Sequence, residues 1–308
     1  MYHNQTQYST VVCIGVANHD VIASIRDPVT PDGRILADNI IEGGGGNAAT
    51  AAVTLARLGI SVDFIGRVGD DDIAHSIRTR LQHEGIGISG LRTIPGGRSP
   101  SSVVLVNLHT AERSIIACPA IGSHLQLDQY ELEACETAQW IHVDQTGFPA
   151  VQQIRAAGIA TPISLDAGNP IPDLDLRHID LYAPTQSALC RTMGTQNVAD
   201  AMRLALARGP RIVAVTCGPD GSLAAIHDHN GAMQVFTAPA LQVPSIVSTL
   251  GAGDVFHGAL LAGLVHRLAL TEALRYANAA AALSCRGMDA RSAIPTRAEL
   301  EAFFDNLI

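Results

Sequence analysis

The chain has 308 residues, of which 47% are hydrophobic and 16% charged, enough apolar material for a sizeable core and too much for intrinsic disorder. A net charge of −9 argues against nucleic acid as a partner. All twenty basic side chains are Arg, which excludes a Walker A lysine and a Schiff-base mechanism.

Val11 to Val16 reads as a short buried strand, followed by Asn18-His19-Asp20. Strand and helix patterns then alternate to the end, which predicts an α/β fold with a parallel sheet covered on both faces. Thr30-Pro31-Asp32-Gly33 is a turn, and Arg34 to Ile41 alternates like an exposed strand. Glu42 and four glycines, Gly43 to Gly46, lead through Asn47 into a helix from Ala48 to Leu58 that Gly59 stops. The glycines fit either close backbone approach to a ligand or a hinge. Val62 to Val68 is a buried strand, and Asp70-Asp71-Asp72 opens a helix from Ile73 to Glu84, where negative charge suits the helix dipole better than a metal site. Gly85 to Gly90 matches the dinucleotide fingerprint in letters only, since it follows a helix instead of a strand.

Ser101 to Leu108 and Arg113 to Cys118 form an extended pair across a turn at Thr110-Ala111-Glu112. Trp140 to Val143 and Pro162 to Leu165 are short strands that end at Asp144 and Asp166. Arg211 to Thr216 is a further strand, followed by Cys217-Gly218-Pro219-Asp220-Gly221 and Ser222 to Ile226. His227-Asp228-His229 before Asn230-Gly231 reads as a solvated hairpin, not a metal site. Leu270 to Cys285 and Thr296 to Leu307 are helices.

The chemistry concentrates in Ser248-Thr249-Leu250-Gly251-Ala252-Gly253-Asp254-Val255-Phe256-His257-Gly258, which runs into an apolar helix ending near Leu268. A helix starting near Ala252 has free N–H groups and the positive end of its dipole there, and glycines let a ligand approach that backbone. An isolated Asp in a first turn is usually a cap. Beside Gly251 to Gly253, Asp254 combines a base with an anion hole, as phosphoryl transfer to an alcohol requires.

From Thr249 to Phe256 the sequence resembles the signature of the ribokinase-like (PfkB) carbohydrate kinases, close to Asp-Thr-x-Gly-Ala-Gly-Asp-x-Phe, and the resemblance extends over nearly the whole chain. It implies one ribokinase-like α/β domain over 1–308, a parallel sheet with helices on both faces and a small β lid. The lid strands are expected at about 33–42 and 98–118. It implies ATP and magnesium as cofactors, Asp254 as the base that takes the sugar proton, and Gly251, Ala252 and Gly253 as the anion hole. Asp20 and Asp32 are the implied sugar ligands, with Gly45 and Gly46. The family's Gly-Gly-x-x-x-Asn can be laid on Asn47 itself or, keeping the spacing to Gly59, on Thr50. The second alignment makes Asn47 the sugar-binding Asn of ketose kinases and Thr50 a further ligand. Thr216-x-Gly218-x-x-Gly221 resembles the nucleotide-phosphate loop, and Asn278 falls where the family places a residue near adenine.

Two departures bear on ions. Ser248 stands where the family usually has an Asp that helps hold a monovalent cation, so at most a weak site at Ser248 and the Leu250 carbonyl is expected. Thr185 and Ala188 stand in place of the Asn and Glu of Asn-x-x-Glu, which organises magnesium through water. The resemblance points to an ATP-dependent kinase for a primary hydroxyl of a ketose or ketose derivative. A nucleoside kinase of the same family, or a sugar- or nucleotide-binding protein with little catalysis, is the alternative. Lids of this kind often pair subunits, so a homodimer is expected. The scattered cysteines, the polar stretch Met1 to Thr10 and the lack of a membrane-length apolar run predict a cytoplasmic protein.

Overall fold

The computed structural model describes residues 10–121 and 125–305. The polar stretch Met1 to Thr10, all but its last residue, and the end of the helix expected to reach Leu307 therefore lie outside the described residues. The chain opens with β1 (Thr10–Ile14), leaves for a small sheet as β2 (Asn18–Ile25) and β3 (Asn39–Gly45), and returns through α1 (Asn47–Arg57) to β4 (Ser61–Val68). After α2 (Asp72–His83) and β5 (Gly87–Thr93) it revisits the small sheet as β6 (Ser101–Asn107) and β7 (Arg113–Cys118). Next come α3 (Gln129–Thr137), β8 (Trp140–Val143), α4 (Ala150–Ala156), β9 (Ile163–Asp166), β10 (Leu181–Ala183), α5 (Gln186–Met193) and α6 (Val198–Leu206). The last part is β11 (Ile212–Thr216), β12 (Ser222–His227), β13 (Met233–Ala238), α7 (Ala252–Val265), α8 (Leu270–Ser284) and α9 (Arg297–Asp305).

The main sheet has the order β13-β12-β11-β10-β9-β8-β1-β4-β5. It is parallel except for β12 and β13, which run antiparallel at one edge. Its central strands are buried on both faces, as near-continuous apolar runs such as Val-Val-Cys-Ile in β1 require. Val11 and Cys13 point into a core with α1, α7 and α8, while Val12 and Ile14 point into a second core with α4, α5 and α6. Burial also pushes the Cys13 thiol well above its ordinary range, so it is an inert core group.

β1 is followed in the chain by β4 on one side of it and later by β8 on the other, so the strand order reverses between β1 and β8. A crevice opens at the carboxyl ends of the strands at such a point. Asp144, just past β8, fills it: the carboxylate accepts from the N–H groups of Val16, Ala48, Thr146 and Gly147 at 2.8–3.1 Å. α1 and α7 both start at this edge. Gly258 lets them pack closely, since a Cβ there would stand 2.6 Å from Ala51 O, an overpacking of about 1–3 kcal/mol.

The small sheet has the order β3-β2-β6-β7, with β2 and β6 parallel and the other pairs antiparallel. Two of its features differ from the sequence reading. Asn18 to Asp20, assigned to no element in the sequence, begins β2, whose inward face carries the polar side chains Asp20 and Ser24 and so inverts the usual alternation. The strand expected over Arg34 to Ile41 starts only at Asn39, with residues 33–38 outside any ladder. Two of the Asp70-Asp71-Asp72 carboxylates bind backbone: Asp71 caps α2 through Ala74 N–H and also takes Ser99 N–H, Asp70 takes Gly96 N–H, and Asp72 stands in the first turn of α2.

Candidate active site

The N-terminus of α7 divides the site. Gly251 is its N-cap with φ of 76°, a left-handed turn held against Ala290, whose Cβ would lie 2.7 Å from any Cβ added there. Ala252 N–H reaches Thr249 O at 3.3 Å, and Val255 N–H reaches Gly251 O at 2.9 Å. Among the described residues the N–H groups of Gly253 and Asp254 have no protein acceptor, and nothing stands within 4 Å of the place a Gly253 Cβ would take. These are open donors at the positive end of a helix.

On one side of this turn lies a cavity of about 900 Å³. Thr185, Thr216, Gly218, Gly221 and Asn278 line it, and Ala252, Gly253 and Thr249 close its end. Gly218 (φ 58°) and Gly221 (φ 95°) carry the turn after β11, and the space of a Gly221 Cβ is already taken by Ala238 O. Asn278 Nδ2 donates to Ala238 O and Pro239 O, both at 3.0 Å, which fixes the wall after β13. Arg113 is the one charged side chain lining this cavity among the described residues. It reaches from β7 across to Thr249, with Nη1 donating to Oγ1 at 2.9 Å.

On the other side is a polar, mostly acidic cluster. Asn47, the first residue of α1, donates through Nδ2 to Asp254 Oδ1 at 2.8 Å and lies 3.4 Å from Asp166 Oδ2. Gln145 and Asn169 approach Asn47 Oδ1 at 3.5 and 3.4 Å. Burial first, and then the Asp166 charge, push the Asp254 carboxyl up to about 7, against the opposing pull of His257 and the Asn47 amide. Burial likewise lifts Asp144 to about 6 despite its four backbone donors. Asp20 is buried, and its Oδ1 accepts from Asn18 Nδ2 and Ser102 Oγ. Its other oxygen occupies the space beside Gly45 that a side chain would fill. Gly46 (φ 92°) caps α1 against Val16 O, another place without room for a Cβ. Such a carboxylate cluster beside open N–H donors can accept a proton from a hydroxyl while a negative group is held across the turn.

The profile of pfkB family carbohydrate kinases matches residues 9–297. The chain belongs to that family. It is thus a phosphotransferase that acts on an alcohol group. It is 26% identical to a ribokinase of Haemophilus influenzae over 310 residues, covering 96% of this chain and 99% of the relative. It is 29% identical to a fructokinase of Klebsiella pneumoniae over 298 residues, covering 88% and 94%. In fold it is like the ribokinase of Arabidopsis thaliana solved with ribose and ATP, at a TM-score of 0.82 and 24% identity over 96% of this chain and 98% of that one.

Within this pfkB kinase the structure brings most of the sequence-predicted residues together. Gly251, Ala252, Gly253 and Asp254 form the dividing turn, with Gly45, Gly46, Asn47 and Asp20 on the acidic side. Two predicted ligands are not brought there. Asp32 stands exposed in the turn before β3 with φ of 55°, and makes no hydrogen bond or ion pair among the described residues. Thr50 is fully buried and its Oγ1 accepts from Arg291 Nε at 3.3 Å, so it faces protein. Ser248 is buried with its Oγ accepting from Leu250 N–H at 3.2 Å, and Leu250 packs under the small sheet with Ile22 and Val104. Thr185 is the N-cap of α5, accepting from Ala188 N–H at 3.2 Å.

Sequence reasoning missed four participants. Arg113 and Arg291 carry no local pattern. Arg291 comes from the loop after α8, fills the space beside Gly44 and donates to Gly45 O; burial pulls it down to about 10. Asp166 was visible as an Asp at the carboxyl end of a parallel strand, a position with a functional prior. His257 was visible only as the residue three past Asp254, on the same helical face.

Proposed function

We propose that the protein is an ATP-dependent kinase that phosphorylates a primary hydroxyl of a sugar, a ketose or ketose derivative. The observation that carries this is Asp254 in one helical turn with the open N–H groups of Gly253 and of its own backbone, between an acidic hollow and a 900 Å³ cavity. Asp254 takes the proton of the sugar hydroxyl, whose oxygen attacks the γ-phosphorus as the bond to the β,γ-bridging oxygen breaks and ADP leaves. Gly251 to Gly253 receive the charge on the transferred group. Asp20 and Asn47 hold sugar hydroxyls, while Gly45 and Gly46 permit close approach. The nucleotide lies along Thr185, Thr216, Gly218 and Gly221, with its base toward Asn278.

With no Lys in the chain, Arg113 is the side chain that meets the phosphate charge. No carboxylate lines the cavity, and no three His, Cys, Asp or Glu cluster as a metal site among the described residues. Magnesium therefore enters as part of the MgATP substrate, held by the phosphates. A monovalent cation at Ser248 and Leu250 is weak at best.

The outer face of the small sheet exposes Ile40 (64%), Val103 (42%) and Ile116 (64%), the last two being cross-strand partners, which supports pairing of two copies through the lid. Among the described residues no helix is long and apolar enough to cross a membrane, and a cytoplasmic location is part of the proposal. The test is phosphoryl transfer from MgATP to a panel of ketoses, aldoses and nucleosides. Highest kcat/KM on a ketose supports the reading, preference for a nucleoside moves it to the alternative, and inactivity with all of them refutes it.

A further inference from the structure

Behind Asp254 lies a second charged layer that the proposed reaction does not use. Asp166 closes β9 at 1% exposure, and His257 on α7 is 5% exposed. His257 Nδ1 lies 2.9 Å from Asp166 Oδ2. The ring N–H is not aimed along that line, which makes the contact an ion pair first and a hydrogen bond second. Asn47 Nδ2 meets the same oxygen at 3.4 Å and Asp254 Oδ1 at 2.8 Å. One oxygen of Asp166 is thus shared by His257 and by the amide that touches Asp254.

Burial alone would make such a histidine neutral. Burial is the largest single influence on each, but the Asp166 carboxylate and the Asp254 charge together outweigh it and hold His257 above its ordinary value, while His257 and the Gly168 N–H together hold Asp166 below the ordinary carboxylate range. The other groups facing the pair do not supply that cation. His142 on β8, whose ring centroid is 6.4 Å from that of His257, is driven by burial down to about 4 and stays neutral. Asp144 after β8 and Asp254 on α7 are acids, and Arg291 has its Nε and Nη2 committed to Thr50 and Gly45.

We infer that the Asp166–His257 ion pair is a positioning device for Asp254: it anchors Asn47 against that carboxylate and sets the charge that Asp254 meets from behind. This rests on the reading of Asp254 as the base. The pair makes Asp254 face a neutralised carboxylate instead of a bare one. Removing the cation therefore favours protonated Asp254, and removing the anion favours ionised Asp254.

The experiment is carboxyl-13C NMR of aspartate-labelled enzyme from pH 5 to 9, with Asp254 assigned as the resonance absent from Asp254→Asn. His257→Gln is expected to raise the Asp254 midpoint by about one pH unit, about tenfold less ionised base below it, and Asp166→Asn to lower it. A merely structural pair would change the melting temperature and leave the midpoint in place. In wild type, the labelled His257 ring must remain imidazolium at pH 6, which tests the pair without any variant. Unmoved midpoints in the folded variants, or a neutral His257 at pH 6, overturn the inference. Turnover of Asp254→Asn judges the base separately: full activity there refutes the base reading, whereas an inactive Asp254→Asn with unmoved midpoints sinks only the role of the pair.

Discussion

Replacing Asp254 by Asn keeps the size of the side chain and removes its ability to take a proton. Loss of a general base lowers turnover by about 10² to 10⁴. ATP affinity is expected to hold, because the cavity is closed by the backbone at Ala252 and Gly253 and not by this side chain. The same substitution has a second, independent signature in stability. The folded-state carboxyl titrates at about 7, against about 4 when unfolded. Its value is raised, so the stability it contributes is full below about pH 4 and is lost as pH rises through about 7. For a fully buried group the loss between pH 5 and 8 would be on the order of 3 kcal/mol; solvent at this partly exposed site reduces it to about 1–2 kcal/mol. Asn resembles the protonated form and loses nothing. The variant should therefore melt near wild type at pH 5 and a few degrees above it at pH 8. Thermal melts at the two pH values, beside kcat for the best acceptor, read both signatures. Wild-type turnover in the variant refutes the base, and a variant that loses ground to wild type between pH 5 and 8 refutes the account of its protonation.

Asn47→Ala should raise the acceptor KM well above its effect on the ATP KM, whereas Thr50→Ala should shift the melting temperature and leave both KM values near wild type; steady-state kinetics of the two variants separates them. Arg113→Ala should lower kcat by about 10- to 100-fold with partial recovery in Arg113→Lys, and an unchanged kcat would remove Arg113 from the reaction. Activity should require magnesium but respond weakly to potassium at constant ionic strength, with a steeper response in Ser248→Asp; a steep potassium requirement in wild type would contradict the weak site.

The strands β1, β4, β8, β9 and β11 were legible as compact apolar runs, and the turns after α1 and between β12 and β13 were marked by Gly59 and Asn230-Gly231, whereas β5, with its polar Gly-Ile-Ser-Gly-Leu-Arg-Thr, and the three-residue β10 carry no such signal. β2 was not, since its inner face begins with Asp20 and carries Ser24, polar residues that period-2 reading assigns to solvent. The dividing turn was legible because Gly251 to Asp254 is contiguous in the chain. Asp166, His257 and Asn47 meet only through β9, α7 and α1, Asn47 lying 119 residues before Asp166, and no local pattern announces such a meeting. Thr50 was misread for a related reason. Arg291, 241 residues away, claims its hydroxyl, a contact that the α1 motif does not announce.

The distribution of charge gives the turn of α7 its direction. On the acidic side stand Asp20, Asp144, Asp166 and Asp254, with one of them neutralised by His257, two lifted toward their protonated forms, and the buried Arg291 as the other cation near them. On the cavity side there is one cation, Arg113, and no anion among the lining residues. On the proposed reading a negatively charged donor is repelled by the first side and held by the second, and a hydroxyl finds its proton acceptor only on the first. Free ATP would still meet a chain of net charge −9 with a single Arg to balance its phosphates. On the proposed reading the metal complex, with part of that charge already cancelled, is the form this site accepts. In the proposed reaction the absence of Lys and the crowding of carboxylates are two halves of one arrangement, in which the protein supplies the base and the nucleotide brings most of its own counter-charge.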